Sequence, residues 1–211
     1  MDFGTAYPQG WGLLKYLIYM ESYDKKTGPG RRLRRVPSPA AGFLGVLLCL
    51  APAAVRAAET SLEYAVKANF LYKFAAFVTW PQDTMAPGSP AWLCLAGGDP
   101  FGGGLDETVR GQSIGTHPIA VVHLHEVTSD STCHILYVRG PITRDVLKTV
   151  AGRPILTITD QAGTDGVGGG VINFILKDNR VRFEIDERIA AANGLGISSK
   201  LLGLAVAVRP R

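Results

Sequence analysis

Four groups of residues here are of types that could do chemistry: Cys94 with Cys133, His123 with His125, the glycines of 97–104, and Ser198-Ser199-Lys200. The two thiols are an even pair once Cys49, inside an apolar leader stretch, is set aside. In an oxidising compartment such a pair closes into a disulfide if neighbouring strands bring the Cα atoms within about 7 Å. Two buried free thiols are the alternative. A His-x-His pair on a strand turns both rings to one face and can begin a zinc site, but no third and fourth ligand stands at a telling spacing, so ordinary surface or loop histidines are expected, as for His134.

The glycine stretch follows a strand and opens a helix, which invites a phosphate-loop reading. Gly97 and Gly102 have the right spacing, yet Gly103-Gly104 stand where Lys and Ser/Thr are required, and Glu107 stands where a dinucleotide fingerprint needs its third glycine. Asp99 as N-cap and Pro100 in the first helical turn account for the loop without a ligand. Ser198-Ser199-Lys200 fails the S-x-x-K pattern because Ile197 occupies the serine position. Helix capping accounts for the serines, and the same helix start offers dipole charge to a carboxylate or phosphate. No nucleophile, base and orienting group can be assembled, so no catalytic residue, metal or cofactor is expected.

These groups sit behind a leader. Arg31, Arg32, Arg34 and Arg35 precede an apolar run over 40–54 broken only by Pro52, and Val55-Arg56-Ala57 puts small residues where a signal peptidase reads. The expected division is a leader, 1–57, with a signal peptide at 31–57 cleaved after Ala57, and one α/β domain, 58–211. An uncleaved anchor is the alternative, though the run is short for a span. Residues 1–30 are long for a leader, and Met20 is a later candidate start. Residues 1–57 hold 8 Lys+Arg and 3 Asp+Glu, net +5; residues 58–211 hold 14 and 15, net −1. The basic excess belongs to the leader, which discounts nucleic-acid binding by the domain.

The domain opens with a helix over 60–80, started by a capping box at Thr60-Ser61-Leu62-Glu63 and stopped by Pro81. Its Tyr64, Phe70, Leu71, Tyr72, Phe74, Phe77, Val78 and Trp80 do not gather on one stripe, so it buries more than one side or offers one to a partner. Strands are expected over 92–96, 118–123, 134–139 and 154–159, with helices to about Arg110 and over 141–151. A hairpin follows, 171–177 and 180–185, closed by Asp178-Asn179. Its second arm alternates, Val181, Phe183 and Ile185 against Arg180, Arg182 and Glu184. Short helices over 187–193 and 198–204 end the chain. This order predicts a single α/β domain with a central mixed sheet flanked by helices.

The run 168–205, GGGVINFILKDNRVRFEIDERIAAANGLGISSKLLGLA, resembles the C-terminal pattern of YfiR-like periplasmic proteins. The match extends through Cys133-His134-Ile135-Leu136-Tyr137, Asp99-Pro100-Phe101-Gly102 and 64–81, and so covers nearly all of the chain after residue 58. The resemblance implies a non-enzymatic periplasmic regulator that holds a membrane-bound diguanylate cyclase inactive, in cyclic-di-GMP signalling and biofilm control, and that is sequestered by an outer-membrane protein. It also implies cysteines at positions 94 and 133; the second cysteine pair of some members, before the last hairpin, is missing here. The partner-contact residues expected are Tyr64, Phe70, Tyr72, Phe74, Leu201 and Leu204, serving the cyclase's periplasmic domain or a second copy in a homodimer. A small-ligand sensing module, with Arg182, Glu184, Ser198, Ser199 and Lys200 around its pocket, is the second reading, and a hydrolase the weakest.

Overall fold

The protein, described by a computed structural model over residues 52–160 and 169–211, leaves the side chains of 52–61 outside that description. Most of the expected leader and the loop at 161–168 also lie outside the described residues.

Helix α1 (Pro52–Ala75) begins before the expected capping box and ends five residues before Trp80. Glu63 is therefore mid-helix, where its carboxylate meets Lys67 one turn on. The early stop has a local cause. Ala76 and Phe77 donate to the carbonyls three residues back, tightening the last turn, and the β-branched pair Val78–Thr79 (β1) extends to pair with Gly196–Ile197 (β9).

The other strands form one mixed sheet. They are β2 (Ala91–Ala96), β3 (Ser113–Ile114), β4 (His117–Leu124), β5 (Ile135–Val138), β6 (Leu156–Asp160), β7 (Ile172–Lys177), β8 (Arg180–Asp186) and β10 (Ala207–Arg209). Their order is β10-β8-β7-β6-β5-β2-β4-β3. Strands β4, β2, β5, β6 and β7 are parallel, β8 returns antiparallel, and β10 lies parallel to β8. Between them lie α2 (Gly103–Val109), α3 (Thr143–Thr149), α4 (Glu187–Ala192) and α5 (Ser199–Leu202). The expected mixed sheet flanked by helices is what forms. The hairpin turns at Asp178 and Asn179, both left-handed at φ 51° and 56°, a conformation these two side chains tolerate.

Strand alternation divides the core in two. Leu93, Leu95, Ile135, Tyr137, Leu156, Ile158, Ile172 and Phe174 face α1, whose Ala68, Leu71, Phe74 and Ala75 fall on one helical face against them. Cys94, Ala96, Leu136 and Val138 point the opposite way, under Val146 and Val150 of α3 and its C-terminal end. Beyond them on that second face, Thr157, Thr159 and Asn173 are buried, and their polar groups serve one another and the backbone: Thr159 meets Asn173, and Val171 N–H donates to Thr157.

Strand order reverses at β2, whose neighbours β4 and β5 follow it on opposite sides. The loop after β2 there presses on the backbone after β5. Gly97, at φ 82°, would place a Cβ 2.0 Å from the Arg139 carbonyl oxygen, so only glycine fits. Asp99 does not cap α2 as expected. Its carboxylate accepts from Phe101 N–H in a local turn, and the helix starts after Gly102.

Candidate functional site

Aromatic rings join α1 to the β7–β8 hairpin. Phe74 lies 4.9 Å from Phe183 and 5.7 Å from Phe174, ring centre to ring centre, and Phe70 stacks on Phe74 at 5.5 Å. Phe74 is 1% exposed and Leu201 2%, so both belong to the core and are withdrawn from the expected contact surface. Four rings in mutual contact leave Phe74 no face for a partner. Phe70, Tyr72, Phe77 and Leu204 are only partly buried against the same core, as is Tyr64, and Leu62 and Val206 are exposed at 67% and 40%. Phe70, Tyr72, Phe77 and Leu204 thus form the partly exposed apolar rim of this core, and Leu62 and Val206 are large apolar side chains left exposed, which periodicity alone did not single out.

A polar group crosses the same core at the C-terminal ends of β5 and β6. Lys67, 3% exposed, donates to Asp160 at 2.6 Å and also meets Glu63. Tyr137 donates to the second Asp160 oxygen at 2.8 Å. Burial and the Asp160 carboxylate raise the Tyr137 hydroxyl pKa far out of the neutral range, so this phenol is a permanent donor. Tyr64 sits edge-on to Phe101 at 5.7 Å, with the Lys67 ammonium 4.9 Å and the Arg139 guanidinium 5.6 Å from its ring. Burial first, then Asp160, raises the Tyr64 pKa as well, and burial alone raises that of Tyr72. The buried Lys67–Asp160 pair ties α1 to the sheet. Nothing in the pattern of α1 marks Lys67 as the cation that turns inward, because its partner lies 93 residues on.

The expected ligand set does not converge. Arg182 and Glu184 alternate with Phe183 and Ile185, which face α1, so their side chains leave the opposite face of the sheet. Ser198, Ser199 and Lys200 lie at the start of α5 on the α1 side, where Leu201 enters the core. The Ser198 hydroxyl accepts from Lys200 N–H as a helix cap, and Ser198 N–H is held by the Phe77 carbonyl. Asp186, next on β8, caps α4 by accepting from Arg188 and Ile189 N–H. Burial pushes its carboxyl pKa up, but the Arg188 guanidinium and those N–H groups outweigh burial and leave it below the usual range.

Cys94 and Cys133 are joined in a disulfide, Cα–Cα 5.9 Å, on the second face. His134 beside it is buried, not superficial as expected. Its Nδ1 accepts from Trp92 N–H at 2.9 Å, so Nε2 carries the proton and donates to the Thr84 carbonyl at 3.1 Å. Burial lowers its pKa below 6.5, the Thr84 bond opposing and His117 assisting. His123 and His125 are exposed, and among the described residues no three His, Cys, Asp or Glu side chains are placed to share a metal ion. Nor is any described helix long and apolar enough to cross a membrane.

The YfiR/HmsC-like domain pattern matches residues 64–206, from within α1 to the residue before β10. The chain belongs to the YfiR/HmsC-like family. No curated protein matches the sequence.

Proposed function

We propose that this chain is an exported, periplasmic regulator that works by protein contact, holding the periplasmic part of a membrane-bound diguanylate cyclase in its inactive state until an outer-membrane protein sequesters it. Family membership over 64–206 carries this reading. The partly exposed apolar rim supports it, because apolar and aromatic anchors supply most of the binding energy at protein interfaces. The mechanism is a population shift: the regulator binds one state of the sensor better than the other. No chemistry on the partner is required. Cleavage after Ala57 would remove the first six residues of α1 and leave the helix from residue 58 to Ala75 on the exported domain.

The test is capture of the sensor from membranes by the exported protein and by Leu62→Asp, Tyr72→Asp and Val206→Asp variants. Each position is exposed or half-buried, so the fold is kept, while a lost anchor weakens capture by about 2 kcal/mol and raises cyclase output. Normal capture by all three variants would remove the rim as the contact surface. N-terminal sequencing of the exported chain checks the cleavage site.

A cavity favours the second reading, small-ligand sensing, at a place other than the one expected. It lies between α3 and α4, about 520 Å³ in volume, with Leu147, Val150 and Ile189 in its walls and Arg144, Lys148 and Arg188 among its lining residues. That size suits a small molecule, and the cations outnumber Asp186, so an anion with an apolar body is the occupant it fits. Saturable shifts of the Leu147 and Ile189 methyl resonances on adding an aromatic carboxylate would support it; their absence would not.

A further inference from the structure

Two histidines hold the connection from β1 to β2, residues 80–90. The His134 ring accepts from Trp92 N–H at Nδ1, 2.9 Å, and donates from Nε2 to the Thr84 carbonyl, 3.1 Å. Its backbone is fixed as well: His134 N–H donates to the Trp92 carbonyl, and its carbonyl accepts from Leu156 N–H, both at 2.9 Å. His134 therefore joins the starts of β2 and β6 through its main chain and carries the connection on its ring. Nearer β2, the Ser89 carbonyl accepts from Nδ1 of His117, the first residue of β4, at 2.8 Å.

The two attachments answer a proton differently. A carbonyl can only accept, so His117 Nδ1 carries a hydrogen in the neutral ring and keeps it in the imidazolium; that bond survives. The His134 bonds do not. Trp92 N–H already points at Nδ1, and a proton added there sets donor against donor. The ring must turn away, and the Thr84 carbonyl loses its donor in the same movement. Among the described residues, the charge that bears on this ring is that of His117 from β4, which opposes a second positive charge. Asp83, beside Thr84, is exposed, and Arg153 donates to the Thr128 and Ser131 carbonyls; neither bears on the ring. Trp92 of β2 and the Cys94–Cys133 bridge bring no charge. The connection also carries a cost of its own: Trp80 Nε1 at its start and Thr84 Oγ1 within it are buried without a hydrogen-bond partner, and access to water relieves both.

We propose that residues 81–88 form a pH-operated strap, closed on the neutral His134 ring, released when that ring takes a proton, and hinged at Ser89, which His117 continues to hold. The release is local. Leu93–Ala96 keep their pairing with β4 on one side and β5 on the other, so the sheet stays whole. The freed end leads into β1, whose pairing with β9 spans two residues, so the part of the fold next to loosen is the short contact that follows α1. The strap works in this way whatever partner the protein binds.

Amide hydrogen exchange of the exported protein tests this, followed by NMR from about pH 7.5 to about pH 4.5 and corrected for the intrinsic exchange rate. The expected result is a fall of about tenfold or more in the protection of the Trp92 amide, with Leu95 and Leu136 unchanged. Its midpoint should equal that at which the His134 nitrogen shifts pass from the Nε2–H tautomer to the imidazolium. His134→Gln, which does not titrate, should lose the fall, and His117→Gln should keep it. If His134→Gln fails to fold, the parent decides alone, through the shared midpoint of ring and amide. Equal loss of protection at Trp92 and Leu136 would mean that the ring is protonated only when the whole domain unfolds, and overturns the strap. So does a ring still neutral at the acid end, a Trp92 amide that stays protected once the ring is charged, or a fall that survives in His134→Gln or vanishes in His117→Gln.

Discussion

The two faces of the sheet are held in different ways. Toward α1, large side chains do the work: Phe74, Phe174, Tyr137, Leu71 and Ile158 are almost fully buried, and rings from three elements touch. Toward α3 the cover is thinner. A disulfide, a histidine bonded at both nitrogens and the Thr157–Thr159–Asn173 network stand where the first face has packing. Packing is spread over many weak contacts and yields only to truncation. The second face rests on a few directional or covalent links, so reductant and protonation of His134 act there, while the first face is held mainly by packing around the buried Lys67–Asp160 pair.

The largest expected effect breaks the first face. Phe74→Ala removes a ring touching three others and should cost about 3–5 kcal/mol, seen as a lower urea midpoint, with Phe70→Ala, half-buried, costing less. Equal costs at the two positions would show that burial depth does not rank them. Next comes the second face. Opening Cys94–Cys133, which closes a separation of 39 residues, should cost about 3–4 kcal/mol in the loop-entropy model, measured by melting with and without reductant. A melt insensitive to reductant would mean that the α3 side is carried by packing after all.

The smallest effect is the pH dependence from His134. Its folded pKa is depressed, so the neutral ring belongs to the native state and the denatured chain takes the proton first, near pH 6.5. Its contribution should be flat above that pH, fall as pH drops through it, and level off below the folded pKa. Urea melts across that range should show this limb, and His134→Gln should flatten it.

What the sequence made legible follows from the range of the interaction responsible. The β7–β8 hairpin was readable because Asp178-Asn179 and the alternation of 180–185 act within a few residues. The end of α1 was not, since Phe77, Val78 and Trp80 continue a helix-compatible pattern and leave it only to meet Gly196–Ile197. Strand β10 is three residues long and owes its conformation to pairing with β8. The contact surface was half readable: aromatic excess on α1 was plain, but which rings are spent inside depends on Phe174 and Phe183, a hundred residues further on. Arg182 and Ser198 looked like neighbours because both lie near the C-terminus; strand alternation puts them on opposite faces.

The partnership of α1 with the last third of the chain also sets an order of assembly. α1 leaves the ribosome, or the export channel, well before Phe174, Phe183 and Leu201, the residues that cover it. Until they arrive, the middle strands can receive only part of its apolar face, and Phe70 and Phe74 lack the two rings of the hairpin that they pack against. Contacts of such long sequence separation form slowly. During that interval the helix is a sticky segment open to chaperones and to other nascent chains, and a product truncated before β7 would expose it permanently and aggregate.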